Sequence, residues 1–196
     1  MNAKLILALV ALLPVSTGLL AAQARECRPA ASPELARDRR ALEIFLATVE
    51  RNVISAAEAM PADKYKFVPV GGEFRGVRSF GAQVKHLAAT NYILAAAALG
   101  TGPPAHAGDE AGPDSVNSKP EVLAYAKGSF AELHKAVARV GEPAAVARSS
   151  PISPLRGDTA TALGLVVESL IHAYDHYGQM IEYLRMNDVV PPASRP

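Results

Sequence analysis

The residues with the clearest chemical potential are two histidines four positions apart, His172 and His176, within a segment of helical apolar periodicity. On an α-helix this spacing is a net rotation of about 40° and a rise of about 6 Å, so both imidazoles point to one side and can reach one metal ion. A third ligand from a second helix would complete a set of three. His86 is the best-placed donor, because it lies in the middle of another apolar helical segment.

The two remaining histidines fit such a site less well. His134 is expected on the flank of its segment or in solvent, and His106 lies in a Gly/Pro-rich stretch, where a surface position is expected. The pair itself has a non-functional interpretation, since a helical His-x-x-x-His occurs by chance in many proteins. Two features favour a metal: tyrosine, aspartate and glutamine crowd the same stretch, and the core of a helix bundle is a standard place for metal sites.

Side chains one helical turn from the pair are candidates for catalysis. Gln179 lies beyond His176 on the same side and can hydrogen-bond a ligand or a bound water. Glu168 lies one turn before His172, as a hydrogen-bond acceptor, fourth ligand or general base, although a solvated or ion-paired residue is the simpler interpretation. Asp175 points about 100° away from His176, so an ion pair is expected there.

Three further residues can contact a substrate or the metal site. Thr90 lies one turn past His86 and can reach the same site. Arg75 and Arg78 can bind an anionic substrate, although exposed arginines are usually only solvated.

Four segments with apolar residues three and four positions apart must position these side chains. They predict helices over about 33–60, 79–99, 118–140 and 159–186, with Ser32 and Ser79 as N-caps and Asn187 as a C-cap. The intervening stretches are rich in Gly and Pro, and the one over 100–118 is expected to be mobile. No strand alternation or internal repeat is visible. The sequence therefore predicts an all-α four-helix bundle, whose long connections allow an order other than a simple meander.

The apolar positions also predict which faces are buried. In the first helix the predicted stripe consists of Leu42, Phe45, Leu46, Val49, Val53, Ala56 and Met60. In the fourth helix it consists of Leu163, Val166, Val167, Leu170, Tyr174, Tyr177, Ile181 and Leu184, with the tyrosine hydroxyls in contact with water.

Composition excludes several classes of protein. The chain has 196 residues, which suits one domain, and 49% of them are hydrophobic, which excludes a disordered chain. Its net charge is +1 without a Lys/Arg run, and it has no Trp, so a nucleic-acid-binding surface is not expected. A single cysteine, Cys27, excludes an internal disulfide framework and a zinc site built from several cysteines.

Residues 1–24 have the pattern of a secretory signal peptide. Lys4 precedes an apolar run over 5–20, and an Ala-Gln-Ala cleavage motif ends at Ala24. Pro and Gly interrupt the run, which argues against the alternative of a membrane anchor. We therefore predict a mature domain over 25–196 that is exported, either periplasmic or secreted. The mature chain would be neutral, so neither a membrane partner after cleavage nor a nucleic-acid partner is expected.

Four stretches together resemble the DinB/YfiT-like superfamily of metalloenzymes, in matching order over essentially the whole mature chain. They are EAMPADKYKFVP at 58–69, RSFGAQVKHLAATN at 78–91, HAYDHYGQ at 172–179 and YLRMNDVVPPAS at 183–194. The resemblance implies a four-helix bundle in an up-down-down-up arrangement, with a divalent metal held by three histidines.

The family's ligand positions correspond here to His86 in the second helix and to the His172 and His176 pair in the fourth. The resemblance leaves the ion open among Zn, Ni, Fe and Mn, and it also implies a homodimer.

Three neutral imidazoles would leave the ion its full double charge and at least one open coordination position, which is typical of a catalytic site. Bound water would be acidified and a bound thiol deprotonated. Relatives include transferases that use small cellular thiols, but export would separate this protein from the cytosolic thiol pool. We therefore predict a metal-dependent hydrolase or transferase acting on a small molecule of unknown identity. The alternatives are a non-enzymatic exported metal-binding protein and a structural bundle whose histidines are coincidental.

Overall fold

Four long helices make up most of the structure, a computed structural model that describes residues 32–142 and 147–195. They are α1 (Pro33–Ala59), α2 (Phe80–Ala98), α3 (Lys119–Val137) and α4 (Ala162–Met186). These ranges contain no strand, so the predicted all-α four-helix bundle is confirmed. None of these helices combines the length and apolar character needed to cross a bilayer. The predicted signal peptide and Cys27 lie outside the described residues.

Polar side chains define where the helices begin. The Ser79 hydroxyl caps α2, and Ser118 forms a capping box with Glu121, whose carboxylate accepts the Ser118 backbone N–H at 2.8 Å. The fourth helix begins three residues later than the periodicity predicts, because Thr161 is its N-cap. Asn187 is the C-cap of α4, as predicted.

Contacts at the helix ends set the direction of α1 and α3. The ammonium of Lys119, at the start of α3, donates to the carbonyl oxygens of Glu58 and Met60 at the end of α1, both at 2.7 Å. At the opposite end, Arg39 Nε donates to the carbonyl of Val140, just after α3, at 2.8 Å. The two helices are therefore antiparallel.

Contacts at the end of the bundle where α1 finishes set the direction of α2 and α4. Tyr65 joins the end of α1 to the start of α2, since its hydroxyl donates to Ala57 O at 2.7 Å and its carbonyl accepts from Gly81 N at 2.8 Å. Tyr183, near the end of α4, donates its hydroxyl to the carbonyl of Arg78 at 3.1 Å. With α1 and α2 each packed between α3 and α4, the arrangement is up-down-down-up, as the resemblance implies.

Helix α2 is the most deeply buried element. All but two of its residues are buried, because its alanines let α3 and α4 approach closely. Four polar residues are buried with them: Gln83, His86, Thr90 and Asn91. Asn91 Nδ2 donates to Ser129 Oγ of α3 at 3.3 Å, while the other three face α4 and its surroundings. Buried polar groups require partners, so this face of α2 points to a site.

Part of each predicted apolar stripe is wrong. Phe45 in α1 and Leu163, Val167 and Tyr174 in α4 are exposed. Helix α4 is apolar on nearly every side, so the periodicity alone fits more than one buried face. The face that packs against the bundle carries small and polar residues as well as large apolar ones: Leu165, Val166, Ser169, Ala173, His176, Met180, Tyr183 and Leu184.

The stretch 100–118, predicted to be mobile, is bonded to the bundle. Ala107 is fully buried, and its carbonyl accepts a hydrogen bond from the Tyr125 hydroxyl of α3 at 2.6 Å. Gly108 has φ +64°, and a Cβ there would lie 3.0 Å from the backbone of Gly112. Glycine is needed here because the backbone passes close to itself, and this tight path lets the segment pack against α2 and α3.

Candidate metal centre

Three histidines from the two antiparallel helices α2 and α4 converge in the bundle. His172 Nε2 lies 3.2 Å from His86 Nε2 and 2.9 Å from His176 Nε2. One ring nitrogen from each residue lies within 4.8 Å of the other two. His86 and His176 are buried, and His172 is half-buried. The three histidines singled out from the sequence are thus brought together by the fold.

The surroundings keep these imidazoles neutral. Burial, followed by the neighbouring His176 and His86, lowers the pKa of His172 to about 3. Burial is also the main cause that lowers the pKa of His86 and that of His176. A neutral imidazole has one ring nitrogen with a free lone pair, which is the form that binds metals. Three such nitrogens facing one point form a donor set that fits a divalent cation.

The orientation of His86 is set by a backbone carbonyl. Its Nδ1–H donates to the carbonyl oxygen of Glu110 at 2.5 Å, which leaves the lone pair on Nε2, the atom that faces His172. Such a hydrogen bond on the far ring nitrogen is typical of metal-binding histidines. Sequence reasoning missed Glu110, because a carbonyl contributed by the backbone has no signature in residue type.

His176 is oriented by glutamines rather than by a carboxylate. The side-chain amide of Gln83, which is 3% exposed, contacts both His176 Nδ1 and Gln179 Oε1. Gln179 in turn donates to Asp175 Oδ2 at 3.0 Å, and that carboxylate oxygen lies 4.0 Å from His176 Nδ1. Gln83 was not singled out from the sequence, although a signal existed: it is a polar residue three positions before His86 on an apolar helix.

A cavity of 220 Å³ opens beside the histidines. Its lining includes His86, His172, Thr90 and Glu168. The Glu168 carboxylate accepts a hydrogen bond from Ser153 Oγ at 2.5 Å, so it is held in the cavity wall rather than solvated on the surface. The buried Thr90 hydroxyl lines the same space.

The other two histidines do not join this cluster. His134 lies between α1 and α3, where Nδ1 is 2.5 Å from Glu43 Oε1 and Nε2 is 2.9 Å from Glu50 Oε2. His106 is exposed, with its ring centroid 4.9 Å from that of Tyr92. Both positions agree with the interpretation of these residues as lying outside the site.

The two arginines considered for anion binding differ in position. Arg75 is exposed and pairs with Glu73 at 3.2 Å. Arg78 lies close enough to the histidines for its positive charge to act on them. Burial is the main cause of the lowered pKa of His172, the neighbouring imidazoles come second, and Arg78 adds a smaller effect.

Comparison with known proteins places this geometry in a family. The family model described as the DinB superfamily matches residues 46–180, which is more than half of the chain. The matched range includes all three histidines of the cluster and the loop that orients His86. No curated protein matches the chain. Since the match spans most of the bundle, the chain belongs to the DinB superfamily.

Proposed function

We propose that this protein binds one divalent metal ion through His86, His172 and His176. The observation that carries the proposal is the convergence of one ring nitrogen from each residue, all within 4.8 Å of one another. When bound, an ion on three neutral imidazoles supplies a Lewis acid with an open coordination position. Imidazole donors suit several ions, so Zn, Ni, Fe and Mn all remain within the proposal.

We further propose that the site is catalytic, in a metal-dependent hydrolase or transferase that acts on a small molecule. The cavity beside the histidines supports this, because a site that only stores metal has no need of an open space with a positioned carboxylate. Ser153 donates to Glu168 Oε2, which leaves Oε1 able to accept a proton from a nucleophile in the cavity. The alternative, a non-enzymatic metal-binding protein, would hold the ion without turning over any substrate.

Export is part of the same proposal, with the protein periplasmic or secreted. The pattern of residues 1–24 supports it. N-terminal sequencing of the protein recovered from fractionated cells tests it. A chain that begins at Arg25 in the exported fraction is expected, whereas a cytoplasmic chain that begins at Met1 would contradict export. A homodimer stays a prediction.

Metal content tests the site directly. Elemental analysis of tag-free protein, purified without added metal, should find about one equivalent of a divalent ion. The double variant His172→Ala/His176→Ala should hold none and keep its helical circular dichroism, since alanine is a good helix former. His106→Ala is the matched control, because it removes an exposed histidine outside the cluster. A folded wild-type protein that lacks metal and also fails to take up Zn or Ni would overturn the proposal.

The catalytic role of Glu168 has its own test. Chromogenic ester, amide and phosphoester substrates and thiol-transfer substrates are screened with the metal-loaded protein. For any substrate turned over, Glu168→Gln should lower kcat by about 10²- to 10⁴-fold while metal content is unchanged. Full metal occupancy without turnover of any substrate class would favour the non-enzymatic alternative.

A further inference from the structure

A second, larger cavity adjoins the one beside the histidines. Its volume is 490 Å³, and it is bounded by α2, by the stretch 101–110 and by residues 148–152. Glu110 and Ile152 line both cavities, so the two spaces meet at one wall. Together the two cavities extend from the histidine cluster to residues 148–152.

Two buried hydroxyl groups, one in each cavity, have no hydrogen-bond partner among the described residues. Thr90 is 5% exposed and lines the smaller cavity, and Ser150 is 3% exposed and lines the larger one. A buried hydroxyl without a partner is unfavourable, and native proteins rarely leave one. Each of these hydroxyls can therefore form a hydrogen bond with a polar atom of a ligand.

Arg148 is the cationic residue that lines the larger cavity. Its backbone N–H donates to Ala97 O at the end of α2 at 2.8 Å, which ties this residue to the bundle. The guanidinium forms no ion pair within the described part of the chain. Two acidic residues line the same cavity: Asp109 accepts from the backbone N–H of Ala111 at 2.7 Å, and Glu110 lies at the shared wall, where its backbone carbonyl accepts from His86 Nδ1. The guanidinium thus remains available to an anionic group.

We propose that the two cavities form one substrate cleft for an elongated amphiphilic carboxylate. The reacting polar group lies beside the histidines and Thr90, the apolar part of the molecule passes Ile152, and the carboxylate pairs with Arg148. Ser150 donates a hydrogen bond to a polar atom at the same end as Arg148. This assignment of substrate class rests on the proposed metal function.

Straight-chain hydroxamates test the cleft, because the hydroxamate group ligates zinc and the opposite end can be varied. Isothermal titration calorimetry with the full zinc-loaded protein compares chains that end in a carboxylate, a methyl group or an amine, over a series of lengths. At one length the carboxylate should bind about tenfold more tightly than the methyl compound, since it gains a charge-assisted hydrogen bond. Arg148→Gln should abolish this gain, whereas Arg75→Gln, a matched control on the surface, should retain it.

The hydroxyl groups are tested with the best carboxylate of the series. Thr90→Val and Ser150→Ala should each weaken binding by about fivefold, with zinc content unchanged. These variants keep the side-chain volume close to that of the wild type, so folding is checked by their thermal denaturation.

The possible outcomes separate the cleft from the metal site. If methyl-terminated hydroxamates bind but the carboxylate adds nothing at any length, or adds equally in Arg148→Gln, the cleft proposal is overturned while the metal site stands. A gain for the amine in place of the carboxylate overturns the assigned charge. If the protein takes up no zinc, the proposed function fails and the cleft proposal fails with it.

Discussion

Replacing Gln83 with leucine should weaken metal binding at the histidine cluster by about 10- to 100-fold, the range typical for groups that orient metal ligands. For His176 to present a lone pair on Nε2, its Nδ1 must carry the proton and donate it to an acceptor. The amide of Gln83 is the group in contact with Nδ1. A half-turn of that amide presents its oxygen to Nδ1 and requires the exposed Gln179 amide, whose oxygen accepts from Gln83, to turn as well. Leucine has a similar volume, but it offers no acceptor.

The size of the effect follows from burial. Gln83 is 3% exposed and His176 is 7% exposed, so water cannot easily replace the lost acceptor. Leaving a buried donor without a partner costs about 1–3 kcal/mol, which is roughly 5- to 150-fold in affinity. Gln83→Glu restores an acceptor and adds a negative charge near the ion, so we expect its affinity for zinc to equal or exceed that of the wild type.

The assay is competition for zinc against a chromophoric chelator at about neutral pH, with thermal denaturation of each variant in parallel. Gln179→Leu is the exposed comparison: this glutamine also hydrogen-bonds at His176, but water can replace its amide, so the affinity should fall by less than in Gln83→Leu. If Gln83→Leu binds zinc as tightly as the wild type while remaining folded, the reasoning about the His176 tautomer is refuted.

Three further predictions concern the elements that hold the site. Gly108→Ala places a Cβ at φ +64° and 3.0 Å from the backbone of Gly112, so it should lower the free energy of unfolding by about 1–3 kcal/mol. It should also weaken zinc binding, because this loop supplies the Glu110 carbonyl that orients His86. Gly102→Ala is the control and should do neither, since the space around its Cβ is open. Burial lowers the pKa of His134, but the two α1 glutamates that bind it outweigh this effect, so the pKa is raised. The stability that this shift provides is present below the unfolded pKa of about 6.5 and is lost as pH rises through the folded pKa. Denaturant unfolding should therefore show His134→Gln to be less stable than the wild type by about 0.5–1 kcal/mol near pH 5.5, with a smaller difference near pH 8.5; an equal difference at both would contradict this. Ser118→Ala removes the cap of α3 and should lower the unfolding free energy by about 1 kcal/mol, with zinc affinity unchanged.

Local chemistry explains why so much of this fold can be predicted from sequence. Helix boundaries depend on caps and on prolines and glycines that lie within a few residues, so the start of α2 after Ser79 and the end of α4 at Asn187 were predicted to the residue. The number of helices follows from apolar periodicity in the same way. The buried face of α4 does not, because a helix with apolar residues on nearly every side fits more than one orientation, and Leu163 and Tyr174 are exposed as a result.

Residue type and helical spacing predict the three candidate histidines and the relative placement of two of them. His172 and His176 share one side of α4 because four residues are close to one helical turn, and this holds in any fold. His86 joins them because α2 and α4 pack side by side, which spacing along the chain does not fix. The surroundings of the three rings depend on how the chain packs: they are the Glu110 carbonyl, the Gln83 amide and the cavity next to Glu168. These contacts join residues far apart in the chain, often through backbone atoms that all residues share, so neither spacing nor residue type could reveal them.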